Sequence, residues 1–83
     1  MSVAESVLTI LARTAETDEV LAQPDLDLFE TGVLDSLRTV ELMVALSEAF
    51  GVEISPAEFE REAWATPRKI VDDVQTRLAS AAS

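Results

Sequence analysis

Asp35 and Ser36 stand where a long acid-rich segment gives way to an apolar-periodic one. Two chemistries are open to this pair. A helix that begins here leaves its first amides without intrahelical partners, and either side chain can accept from them as an N-cap. The position also suits a covalently attached anion, because the partial positive charge and free amides of a helix start favour a phosphodiester on the Ser36 hydroxyl. An arm rooted there would be held at its base and free at its tip. Position alone favours capping and does not select attachment.

Other routes to chemistry are few. The chain has no Cys and no His, which removes disulfides, thiolate nucleophiles, imidazole bases and every Cys/His metal site. Asp25-Leu26-Asp27 invites comparison with a calcium loop. Phe29 and the late Gly32 break that pattern, which needs an oxygen ligand and an earlier glycine at those places, so no metal site is expected. A chain of this composition takes part in chemistry as a substrate for other enzymes, and is not expected to be an enzyme itself.

The elements that would position Ser36 are legible from period and punctuation. Val3, Val7, Leu8 and Leu11 fall at helical spacing and predict a helix from Val3 to about Ala12. The next twenty or so residues contain Pro24, Gly32 and many acids. They read as a long loop with one helical turn around Glu19 to Ala22, and long loops inside compact domains are often functional. A strong helix is predicted from Ser36 to Phe50, with Gly51 as its C-terminal cap. Ser55-Pro56-Ala57-Glu58 has a cap residue, Pro at the first helical position and Glu three residues after the cap, opening a short helix to about Arg61. Thr66-Pro67 repeats the device and starts a last helix through about Leu78, with Ile70, Val71, Val74 and Leu78 as its buried stripe. Residues 1–83 make one domain, with 1–2 and 79–83 frayed. The expected fold is all-α, a small bundle of three main helices and one short one. Trp64 reads as a core aromatic that closes the short helix onto the bundle.

On the helix from Ser36, steps of 100° separate two apolar stripes. Thr39, Met43, Leu46 and Phe50, flanked by Leu42, form an ordinary core face. Leu37 and Val44 lie nearly opposite, interleaved with Glu41 and Glu48. Scattered exposed apolar residues are common. A mixed apolar and acidic stripe is also what a contact surface for a basic, partly apolar partner looks like.

The 83 residues carry sixteen acids against six bases, a net charge of −10. That sign argues against binding nucleic acid or anionic lipid and favours proteins with basic patches. Such partners are expected to meet Glu30, Asp35, Glu41 and Glu48. The longest apolar runs are far below the ~18 residues of a membrane span, and the N-terminus lacks the basic start of a signal peptide. A cytosolic monomer without stable membrane insertion is the expectation.

Taken together, the residues resemble the phosphopantetheine-dependent acyl and peptidyl carrier proteins. Gly32-Val33-Leu34-Asp35-Ser36-Leu37 is similar to that superfamily's attachment motif. The closest resemblance is to the D-alanyl carrier proteins: Phe29 to Ser36 and Thr39-Val40-Glu41-Leu42 match the family's central segment. Phe59-Glu60-Arg61-Glu62-Ala63-Trp64-Ala65-Thr66-Pro67 is similar to its second hallmark. The similarity runs from about Asp18 to Leu78. Arg38 departs from the pattern, which has a small residue such as Gly beside the modified serine. The resemblance implies a right-handed four-helix bundle in which a phosphopantetheinyl transferase attaches 4′-phosphopantetheine from coenzyme A to Ser36, with Asp35 as its motif neighbour. An adenylating ligase then loads a carboxylic acid as a thioester, and an acyltransferase or other enzyme with a basic patch receives it. Leu37, Arg38, Glu41, Val44, Glu48 and Glu30 are the expected partner-binding residues.

Resemblance to D-alanyl rather than fatty-acid carriers suggests an aminoacyl cargo. A small bundle with a filled core has no cavity ready for a long alkyl chain, and a charged ammonium would stay in solvent. One Lys against five Arg and twelve Ala suggests a GC-rich genome. This favours natural-product biosynthesis, polyketide or peptide, over the alternative of teichoic acid D-alanylation. An unmodified acidic adaptor is a remoter reading.

Overall fold

The computed structural model describes residues 2–54 and 60–82. Among the described residues, four α-helices and one 3₁₀ turn follow in order: α1 (Val3–Ala15), α2 (Glu19–Ala22), α3 (Ser36–Phe50), the 3₁₀ turn Arg61–Trp64, and α4 (Pro67–Ala82). Three helices are long, and there is no strand among the described residues, in keeping with the expected all-α bundle. The radius of gyration, 11.7 Å, is that of a compact chain of this length, about 12 Å.

Helix α1 packs against α2, α3 and α4, and its Val7 and Leu11 are wholly buried. Around them lie Leu42 and Leu46 from α3 and Ile70 and Val74 from α4. These residues sit on the stripes that helical spacing predicts; Val71 and Leu78 are partly buried against the same core. Ser2 caps α1, its Oγ accepting from the Glu5 amide at 3.1 Å. The helix runs three residues past Ala12 because its C-terminus is closed from outside its own apolar pattern. Glu16 adopts φ 57°, the Thr17 amide returns to the Ala12 carbonyl at 3.1 Å, and Arg38 from α3 donates to the Thr14 carbonyl at 3.0 Å.

Two further boundaries differ from expectation. Helix α4 continues to Ala82 rather than ending near Leu78, since Ala79, Ala81 and Ala82 are strong helix formers and no Gly or Pro stops them. The short helix expected from Ser55 to Arg61 falls largely on residues 55–59, outside the described ones. Glu60 is extended (φ −115°, ψ 128°), and Arg61 opens a 3₁₀ turn instead of closing an α-turn. That tighter turn carries Trp64 into the core immediately before Thr66 caps α4, its Oγ1 accepting from the Lys69 amide at 3.3 Å.

Trp64 is 1% exposed, so its indole N–H needs a partner inside the protein. It donates to Asp73 Oδ2 at 2.9 Å. Arg77 Nε donates to the same oxygen at 3.0 Å, and Arg77 Nη1 reaches the Glu53 carbonyl at 2.9 Å. One carboxylate thus ties the 3₁₀ turn, α4 and the extended residues after α3, where Val52 and Ile54 are buried on either side of exposed Glu53. Asp73→Ala should lower unfolding stability by about 1–3 kcal/mol, the cost of stripping partners from buried polar groups. Urea titration followed by Trp64 fluorescence reads this directly; an unchanged midpoint would mean that the network is ornamental to the fold.

Candidate functional site

The segment before α3 is tied down at four places. The Arg68 amide donates to the Pro24 carbonyl at 3.0 Å, and the Leu28 amide to the Ala65 carbonyl at 2.8 Å. The Leu34 amide returns to the Leu28 carbonyl at 2.9 Å, and the Leu28 and Leu34 side chains are buried. Just before Leu28, Asp27 organises the turn: its Oδ1 accepts from the Glu30 amide at 2.9 Å and the Phe29 amide at 3.2 Å. Asp25 pairs with Arg68 at 3.1 Å. These two acids, which in sequence invite comparison with a calcium loop, serve the backbone turn and an ion pair. Gly32 holds φ 78°, a conformation that strains any residue with a Cβ.

This scaffold delivers Asp35 and Ser36 with different jobs. Asp35 is extended (φ −129°, ψ −175°) and is the N-cap of α3, its Oδ1 accepting from the Arg38 amide at 2.8 Å. Its carbonyl accepts from the Thr39 amide at 2.9 Å and from the Thr39 hydroxyl at 2.6 Å. Ser36 is the first helical residue and is exposed. Among the described residues no hydrogen bond engages its hydroxyl. Capping, open to both residues in the sequence, belongs to Asp35.

Ser36 stands beside a groove of ≈ 500 Å³ between α3 and the preceding segment, walled by Phe29, Leu34, Val40 and Met43, with Arg61 at its side. The guanidinium carbon of Arg61 lies 4.6 Å from the centroid of the Phe29 ring, within cation–π range. The expectation of a filled core with no cavity ready for a long alkyl chain concerns the interior. The surface next to the serine is hollowed as far as Met43.

Beyond Ser36, α3 exposes Leu37 (70%), Val40 (44%) and Val44 (52%), with Glu41 and Glu48 exposed among them. Leu37 and Val44 stand out on the helical wheel. Val40 escapes it, although the 37–40–44 spacing of three and four residues carries the signal. Glu30 is also exposed, on the loop before the helix. Arg38 is half-buried and lines a groove with Leu37 and Glu41. Its Nη1 bonds the Thr14 carbonyl at 3.0 Å and its Nη2 the Glu16 carboxylate at 3.1 Å, so its charge is spent on the C-terminus of α1, where a cation is favourable. The groove residues Phe29 and Arg61 lie within the two resemblance segments, but nothing in their spacing announces that they meet.

Comparison with known proteins agrees with this arrangement. The family profile described as "Phosphopantetheine attachment site" matches residues 5–74. A D-alanyl carrier protein of Enterococcus faecalis is 43% identical over 75 residues, covering 90% of this chain and 96% of that protein. Proteins of this family bear a covalent 4′-phosphopantetheine, receive it from a phosphopantetheinyl transferase and act as substrates of partner enzymes without catalysing reactions themselves. The chain belongs to the phosphopantetheine-dependent carrier proteins.

Proposed function

We propose that Ser36 is the attachment residue and that the chain carries an amino acid, D-alanine in the first instance, between a ligase and an acceptor enzyme. The observation behind the site is the division of work at the start of α3: Asp35 caps the helix, and the adjacent hydroxyl is exposed and uncommitted. When attached, the arm supplies a thiol on which a carboxylic acid is held as a thioester. The residues of this chain fix its root. Asp35 keeps the helix start in place, the first amides of α3 favour the phosphodiester's charge, and exposure leaves the tip accessible.

The identity to a D-alanyl carrier protein across nearly the whole of both chains supports D-alanine and, with it, the teichoic acid reading. It outweighs composition, which is the ground for the natural-product reading. That second reading keeps one observation in its favour, the single Lys against five Arg and twelve Ala.

Partner enzymes are expected on the Leu37, Val40 and Val44 face, with basic side chains toward Glu30, Glu41 and Glu48. Apolar residues central to an interface carry most of the binding energy, whereas rim charges mainly set encounter rates and are screened beyond a Debye length of about 8 Å.

Three outcomes follow from this reading. Incubated with coenzyme A and a promiscuous transferase, the protein should gain one phosphopantetheine, mapped to Ser36. Ser36→Ala should stay unmodified at a stability within about 0.5 kcal/mol of wild type, whereas Asp35→Ala should lose about 1 kcal/mol with the cap. A modified Ser36→Ala protein would move the site elsewhere. In loading kinetics, Leu37→Ala should lower kcat/KM about tenfold, near 1.4 kcal/mol. Glu41→Lys should lower it less and should flatten the salt dependence; equal rates for all three proteins would make the face ordinary surface. Mass spectrometry of the carrier from its own cell should find an alanyl thioester. Another aminoacyl group would favour the natural-product reading, and an adduct without nitrogen would refute an aminoacyl cargo.

A further inference from the structure

The six cations of this acidic chain are unequally placed around Ser36. Arg38 is turned onto Thr14 and Glu16, Arg68 onto Asp25, Lys69 onto the Glu62 carbonyl, and Arg77 onto Asp73 and Glu53. Arg13 faces a different groove, on the α1 side of Arg38. Arg61 alone lines the groove that Ser36 opens onto, and among the described residues no hydrogen bond engages its guanidinium. The guanidinium lies over the Phe29 ring, 4.6 Å from its centroid, a contact that does not consume the N–H donors with which arginine recognises phosphate oxygens.

The acids nearest Ser36 in the chain, Asp35 beside it and exposed Glu30 on the preceding loop, would repel an anion there, and the Arg38 guanidinium two residues on is already bonded to Thr14 and Glu16. The amides at the start of α3 offset part of that repulsion, but Asp35 already takes the Arg38 amide. The groove itself is largely apolar, with Phe29, Val40 and Met43 on its walls. Such a surface suits the methyl and methylene groups of a pantetheine chain, while its amides remain toward water.

We propose that Arg61, held on the Phe29 ring, is a second anchor for the arm: its guanidinium pairs with the phosphodiester on Ser36 and lays the pantetheine chain along the Phe29–Val40–Met43 groove. The inference rests on the reading that Ser36 bears the arm. It assigns a binding role to a residue of the 3₁₀ turn, twenty-five positions from the serine in the chain.

The test uses the holo-protein, loaded from coenzyme A and checked by intact mass, with phosphorus and amide NMR as readouts. In wild type the phosphodiester resonance should be displaced from its position in the same protein unfolded in urea. Amide shifts between apo and holo forms should include Phe29, Val40 and Met43. In Arg61→Gln both effects should collapse, Arg61→Lys should retain part of each, and Arg38→Gln should leave them unchanged. Trp64 fluorescence and circular dichroism monitor the fold of each variant. Should Arg61→Gln disturb Trp64, the wild-type protein still decides, because an undisplaced phosphorus signal or silent groove amides there overturn the anchor. A response in Arg38→Gln but not in Arg61→Gln overturns it as well. Failure of every transferase to add mass would overturn the attachment reading and this inference together, whereas normal loading with identical spectra in wild type and Arg61→Gln overturns the anchor alone.

Discussion

Leu28 is where the long segment between α2 and α3 becomes part of the bundle. Its side chain has no exposure to solvent, its amide donates to the Ala65 carbonyl at 2.8 Å, and its carbonyl accepts from the Leu34 amide at 2.9 Å. A segment that carries Asp25, Asp27, Glu30 and Asp35 must repay its ordering, about 1–2 kcal/mol of backbone entropy per residue, from the apolar side chains between them. Leu28 and Leu34 are buried outright, and Leu26, Phe29 and Val33 pack partly buried against the same core. The two hydrogen bonds keep the buried backbone groups satisfied. With the loop closed over the junction of the 3₁₀ turn and α4, Asp35 arrives in the extended conformation that an N-cap requires. The position of Ser36 as the exposed first residue of α3 depends on this arrival.

The chain's acidity is arranged rather than merely accumulated. Arginines 38, 68 and 77 and Lys69 reach across the fold to carboxylates or to carbonyls at turns and helix ends. Exposed pairs of this kind contribute little stability, about 0–1 kcal/mol each. Their consequence lies in what they withhold: the outward surface of α3 keeps Glu41 and Glu48 without a neighbouring free cation from its own helix, because Arg38 points back toward α1. An arginine beside Ser36 would in principle repel a basic partner. Held at 3.1 Å from Glu16, it is locally neutralised, and the acid–apolar character of the face is preserved despite the departure from the small residue seen in the resembling family.

Periodicity and capping chemistry were enough to read the long helices, since Gly51, Thr66 and Pro67 are local signals and act locally. The ends that moved, at Ala15 and Ala82, were set by distant partners or by plain propensity, neither of which interrupts an apolar pattern. For the proposed site, the motif pointed to Ser36 and the wheel put Leu37 and Val44 on a stripe that is exposed, but the wheel could not assign capping between two adjacent residues that are both competent for it. Only φ and ψ at Asp35 decide that. Arg61 over Phe29 was illegible for a different reason. The contact joins a 3₁₀ turn to a loop more than thirty residues earlier, and no period or spacing encodes a meeting between irregular segments.

That Asp35 rather than Ser36 holds the cap has a consequence for a carrier whose serine bears the arm. A capping side chain stabilises its helix by about 1 kcal/mol. If Ser36 supplied that bond, its hydroxyl would have to serve the helix amide and the phosphodiester at once, and the start of α3 would differ between unloaded and loaded forms. With the carboxylate of Asp35 accepting at 2.8 Å and Thr39 closing onto its carbonyl, the helix start is complete without the serine. Folding is thereby separated from loading. On the proposed reading, the same α3 face is offered to the enzyme that attaches the arm, the one that charges it and the one that discharges it, and discrimination among them falls to the arm, its cargo and the groove beside it.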